Sequence, residues 1–151
     1  MSPSCEKGEM HFMEQKRRVL DRQARQRIKQ RLAELLQERD EVLFAYLYGS
    51  FMEGMPFHDI DVGLYISAVT EEESIDYMLD CGQQLSHALG LPVDVRVLNF
   101  APVPFLFYAI RGELLLEKDE EVRVRVVERT VQRYLDMAPL IRRAIREAFA
   151  A

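Results

Sequence analysis

The stretch Leu47–Ile66, LYGSFMEGMPFHDIDVGLYI, decides how this chain is read. An apolar run stops at Gly49-Ser50. A short segment with turn character follows, and at Asp59 the chain returns to an apolar run that carries two acids, Asp59 and Asp61. Successive side chains of a strand point to opposite faces. Over 59–66, Ile60, Val62, Leu64 and Ile66 therefore share one face, and Asp59 and Asp61 share the other. One face is fit for a core; the other carries charge.

Working outward, residues 42–48, VLFAYLY, are β-branched and aromatic enough for a buried strand. Before them, Val19, Leu20, Ile28, Leu32, Leu35 and Leu36 predict a helix over 12–39. Its other positions, from Lys16 to Arg31, are rich in Arg and Lys. That is either a solvated face or a docking surface for an acidic partner. After the acids, Thr70-Glu71-Glu72-Glu73 forms a capping box with Thr70 as N-cap. That helix continues through Ile75, Met78, Leu79, Gly82, Leu85 and Leu89 until Gly90 and Pro92 end it.

A third strand, 93–98, alternates again, with Val93, Val95 and Val97 facing one way and Asp94 and Arg96 the other. Residues 102–111 predict a short helix with prolines at its start and Gly112 at its end, and 113–117 an edge strand. From Glu120 the pattern is helical, with a stripe of Val124, Val127, Val131 and Leu135, an expected kink or restart at Pro139, and an apolar face resumed by Ile141 and Ile145. The sum is a small α/β (α+β) domain: a mixed sheet of about four strands with helices packed on one face. The expected organisation is a flexible tail at 1–11 and a single domain over 12–150.

Composition narrows the function. A chain of 151 residues, 48% hydrophobic and 30% charged, is long enough for a core and too apolar to be disordered. A net charge of −5 argues against direct nucleic-acid binding. Cys5 and Cys81 are the chain's two cysteines and have no metal-ligand spacing, which disfavours a disulfide scaffold or structural zinc and fits a cytoplasmic protein. No run is apolar enough to span a membrane, and the N-terminus lacks the core of a secretory signal.

The chemistry rests on Asp59, Asp61 and Asp94. If their strands are neighbours with matching faces, the carboxylates converge. Like charges so placed raise one another's pKa. A divalent cation relieves that repulsion, and a set of hard oxygen donors suits Mg²⁺; two such ions would clamp an in-line phosphoryl or nucleotidyl transfer. The Gly49-Ser50 turn is complementary. Gly49 lets a phosphate approach the backbone closely, and Ser50 adds a hydroxyl donor. A Walker phosphate loop is excluded, because no Lys-Ser or Lys-Thr follows a glycine run. His58 reads as a solvent-facing turn residue or a phosphate contact. Phe51, Phe57 and Tyr65 read as core or as stacking platforms for a base.

With Gly49-Ser50, Asp59-x-Asp61 and Asp94 in LPVDVRVL, the chain resembles the minimal nucleotidyltransferases of the polymerase-β-like superfamily. The likeness continues through PVPFLFYAIRGELLLEKD (102–119) and RYLDMAPLIRRAI (133–145), and covers about residues 28–150. The segment FMEGMPFH is shorter than is common in that family, and Glu53 stands where an arginine often precedes the loop glycine. The resemblance implies that Gly49 and Ser50 bind nucleotide phosphates, and that Asp59, Asp61 and Asp94 are catalytic and hold two Mg²⁺ ions. Asp94 is also implied as the base for the attacking hydroxyl. It further implies ATP as substrate and a HEPN-family toxin as partner, with AMP transferred to a tyrosine of that toxin. Two alternatives follow from the same resemblance: an antitoxin that silences its toxin by contact alone, and a small-molecule adenylyltransferase of the aminoglycoside type.

Overall fold

The structure, a computed structural model, describes residues 16–150. Its sheet holds β1 (Val42–Tyr48), β2 (Ile60–Ile66), β3 (Val93–Val97) and β4 (Glu113–Glu117) in the order β3-β2-β1-β4. β1 pairs antiparallel with β2 and β4, and β2 pairs parallel with β3. The sheet is therefore mixed and open, with β4 on an edge as its sequence predicts. The helices are α1 (Arg22–Gln37), α2 (Gly49–Met52), α3 (Glu71–Leu89), α4 (Val103–Ile110) and α5 (Glu120–Phe149). Among the described residues no helix is long and apolar enough to cross a membrane.

Alternation builds two cores. Ile60, Val62, Leu64 and Ile66 join Val93, Val95 and Val97 beneath Leu32 and Leu36 of α1 and Cys81 and Leu85 of α3. The expectation of helices on one face holds for α1 and α3. The other face is not left bare: Phe44, Tyr46 and Tyr48 of β1 pack with Phe105, Leu106 and Ala109 of α4 and with Val122 and Val126 of α5. A register shift between Val42 and Phe44 lets Leu43 and Phe44 both serve this second core.

The helix ends follow local chemistry. Thr70 Oγ1 accepts from the Glu73 N–H at 3.2 Å, and Glu73 Oε2 accepts from the Thr70 N–H at 3.1 Å, closing the capping box. Gly90, at φ 69°, ends α3 in the left-handed region.

Three expectations need correction. Helix α1 starts at Arg22, because Asp21 caps it by accepting from the Ala24 N–H at 2.7 Å. Residues 16–21 are not helical, and 12–15, like the expected tail at 1–11, lie outside the described residues. Helix α5 passes through Pro139 without ending. Its deepest stripe is Val122, Val126, Thr130 and Tyr134; of the expected stripe, Val127 and Val131 are half-buried, but Val124 and Leu135 are exposed. Val122 and Val126 join the second core, Thr130 is 2% exposed, and Tyr134 stacks on Phe107 at 3.8 Å.

Candidate active site

The acid face sits where β1 ends and β2 and β3 begin. Register places Asp61 opposite Asp94 on the parallel pair and opposite Tyr48 on the antiparallel pair. Partners across a ladder share a face, so the two carboxylates and the phenol are grouped as the alternation requires. Asp59 lies one residue ahead of β2, exposed, close enough for its charge to act on Asp61. The sheet thus brings Asp61 and Asp94 side by side and leaves Asp59 at their edge.

Charge at this spot is poorly compensated. Burial, then Asp94, then Asp59 push the Asp61 carboxyl up to about 6, and Arg96 alone pulls it back. Arg96 Nε donates to Asp94 Oδ2 at 3.4 Å from a largely exposed side chain. Burial, followed by Asp61 and Asp94, also pushes the Tyr48 phenol well above its ordinary range. The Tyr48 ring is held edge-on by Phe105 at 5.6 Å and by Tyr108 at 5.7 Å, so α4 walls one side of the site.

The Gly49–Ser50 turn meets these acids directly. Gly49 has φ +81°, and a Cβ there would overlap the Asp61 carboxylate, so no other residue fits this position unstrained. Ser50 is exposed at the start of a single helical turn. A groove of about 540 Å³ runs between α3 and β3 to Asp94 and Arg96. A neighbouring hollow of about 410 Å³ reaches toward Phe100 and Phe105 and shares Ile75, Met78 and Arg96 with it.

Do these residues suit a metal ion? Among the described residues, no three His, Cys, Asp or Glu side chains form a ready ligand group. The expected convergence is therefore of faces and not of a closed cage: the carboxylates repel, and Asp94 leans on Arg96. The donor chemistry nonetheless fits. An all-carboxylate set, half-buried at Asp61 and short of positive charge, is what a hard cation relieves.

The other sequence candidates separate cleanly. Phe51 and Phe57 are core, packed edge-to-face at 4.9 Å, and Tyr65 stacks on Phe44 at 5.1 Å. His58 and Glu53 are exposed. Sequence reasoning missed Tyr48, whose signal was its place as the last residue before Gly49. It also missed Arg25, which holds the loop after Ser50 and looks like any other base on a basic helix.

Comparison with known proteins agrees with this fold. The family model described as polymerase beta, nucleotidyltransferase, matches residues 30–121. None of the curated proteins matches the chain. Among solved structures, the MntA–HepT toxin–antitoxin complex contains a chain that is 18% identical, with a TM-score of 0.65 and coverage of 83% of this chain and 99% of that one. A tri-AMPylated Shewanella oneidensis HEPN toxin in complex with MNT antitoxin gives 19% identity, a TM-score of 0.66 and coverage of 83% and 99%. A toxin–antitoxin structure with AMP-PNP gives 19% identity, a TM-score of 0.66 and coverage of 81% and 98%. At these identities the likeness is one of fold.

Proposed function

The chain belongs to the polymerase β nucleotidyltransferase family, and from that premise we propose that it transfers AMP from ATP to a tyrosine hydroxyl of a HEPN toxin, acting as the antitoxin of the pair. The observation that carries the reading is the register Asp61↔Asp94 set against Gly49, with Asp59 at the edge. The likeness to complexes containing an AMPylated toxin and AMP-PNP supports the choice of AMP and of partner. The pair would work in the cytoplasm, where ATP is supplied.

Each residue has a task in this proposal. Asp59, Asp61 and Asp94 would hold Mg²⁺, which neutralises the triphosphate and stabilises charge developing in the transfer. Gly49, lacking a Cβ, makes room for the Asp61 carboxylate against the turn that would receive a phosphate, and Ser50 would donate its hydroxyl to it. Asp94, at the groove, takes the proton from the attacking tyrosine. The oxygen freed of that proton forms a bond to the α-phosphorus as the bond to pyrophosphate breaks in line. The apolar wall of Ile75, Met78 and Leu79 suits an aromatic acceptor beside Asp94.

The test is the mass of a HEPN toxin after incubation with this protein, ATP and Mg²⁺. A gain of one or more adenylyl groups, with loss of toxicity, is expected. A toxin that is bound and silenced but unchanged in mass, with ATP and with the other nucleotides, overturns the transfer and leaves neutralisation by contact.

A further inference from the structure

The loop between Ser50 and Asp59 has little internal support. Its helical turn Gly49–Met52 is a single turn, and the carbonyls at its end need donors. Three backbone bonds close it: Glu53 N–H to Gly49 O at 3.1 Å, Gly54 N–H to Phe51 O at 3.2 Å and Met55 N–H to Ser50 O at 3.0 Å. Residues 53–56 are exposed. The remaining support comes from the buried Phe51 and Phe57 rings and from the start of α1 and the segment before it.

Arg25, in the first turns of α1, directs two of its three guanidinium hydrogen bonds into this region and the third to the approach to α1. Nη1 donates to Phe51 O at 2.8 Å, Nη2 to Met55 O at 3.1 Å, and Nε to Leu20 O at 2.9 Å. The same group lies 5.5 Å from the Phe51 ring centroid and 5.6 Å from that of Phe57. Alongside, Arg18 and Phe57 exchange backbone bonds, with Arg18 N–H donating at 2.7 Å and Phe57 N–H at 3.1 Å. One planar cation thus joins three segments: the approach to α1, the turn after β1 and the approach to β2. A lysine ammonium, a point donor on a flexible stem, cannot span three carbonyls and cover two rings at once.

We propose that Arg25 is a positioning residue of the nucleotide site, fixing the Phe51–Phe57 loop so that the Gly49–Ser50 turn and Asp59 face the same triphosphate. This rests on the nucleotidyltransferase reading. Arg25 and Arg18 precede residue 30, where the match to the family begins, so the clamp joins residues outside the matched region to Phe51, Met55 and Phe57 inside it. It acts at a distance: no atom of Arg25 is asked to touch the nucleotide. Its effect is on the separation of two groups that must hold one ligand, and such separations govern affinity steeply.

The experiment measures AMP-PNP affinity with Mg²⁺ by calorimetry, together with amide exchange over 49–59, for the wild type, Arg25→Lys and Arg25→Ala. Arg25→Lys keeps the charge and the helix, so it remains usable if Arg25→Ala does not fold. Both variants are expected to bind about tenfold more weakly per folded molecule, with faster exchange confined to the loop and unchanged exchange in β2 and β3. Unaltered affinity overturns the proposal, even if the loop exchanges faster, because Arg25 is then only a strut. Unaltered exchange in the loop overturns it as well. A wild type that does not bind AMP-PNP defeats the nucleotidyltransferase reading itself, and the clamp's proposed role with it.

Discussion

The two faces of β2 and β3 differ by a single step along the chain. On one face Ile60, Val62 and Leu64 are 0% exposed, and Val93, Val95 and Val97 lie between 3% and 8%. On the other stand Asp61, Asp94 and Arg96, part-exposed or exposed, with a carboxyl pushed up to about 6. The first face lowers the free energy of the fold by removing apolar surface from water. The second raises it by crowding like charges. Core packing and crowded charge are therefore carried by alternate residues of the same strands, and substitutions one position apart should act on stability in opposite directions.

The largest expected effect is on the acid face. Asp61→Asn removes one charge and, in the proposed transfer, one metal ligand at nearly constant volume. Charge stabilisation by a held ion is worth several kcal/mol, so transfer should fall by about two to three orders of magnitude while partner binding is retained. Single-turnover kinetics beside a pull-down measures both. A tenfold loss or less would mean that Asp61 is not central.

Next in size is the core face. Leu64→Ala should cost about 2–5 kcal/mol, read from chemical denaturation, with the properly folded fraction still binding nucleotide. If affinity fell in proportion to stability, the two faces would not be separable.

Much of this division is legible in the sequence. The period-two alternation of HDIDVGLYI and PVDVRVL assigns both faces without a structure, and Thr70-Glu73 and Gly90 mark the ends of α3 by chemistry local to them. What escapes the sequence depends on the third dimension. Val19 and Leu20 extend the helical spacing backward, yet Val19 is 75% exposed, and Asp21 with the Arg18–Phe57 bridge decides where α1 begins. Pro139 is tolerated because the carbonyl it cannot bond belongs to Leu135, 62% exposed, where water can serve it. Helix α5 turns Val122 and Val126 inward because α4 packs there; helical spacing alone does not choose between that stripe and Val124, Val127 and Val131. The pairing of Arg25 with a loop 26 and 30 residues away is likewise invisible in the chain order.

A smaller effect sharpens the contrast in sign. In the metal-free protein the Asp61 carboxyl titrates near 6, above its ordinary 3.8. Below about pH 4 it is protonated in both folded and unfolded chains and has no effect on stability. Between there and pH 6 the unfolded chain releases its proton first, so stability falls, and above pH 6 the full penalty stands. Asp61→Asn should therefore stabilise the metal-free protein at pH 7, by about 1 kcal/mol after discounting for solvent screening of a half-exposed group. That gain should vanish below pH 4. Melting curves across this range check it, and a destabilised variant at pH 7 would contradict the charge assignment.

The most direct test is calorimetric titration of AMP-PNP into the wild type with Mg²⁺ and with a chelator. Three like-charged side chains repel a triphosphate unless a cation intervenes. Measurable binding is expected with Mg²⁺, at least tenfold weaker binding in the chelator, and loss of that difference in Asp61→Asn. Equal wild-type affinity in both conditions would contradict it.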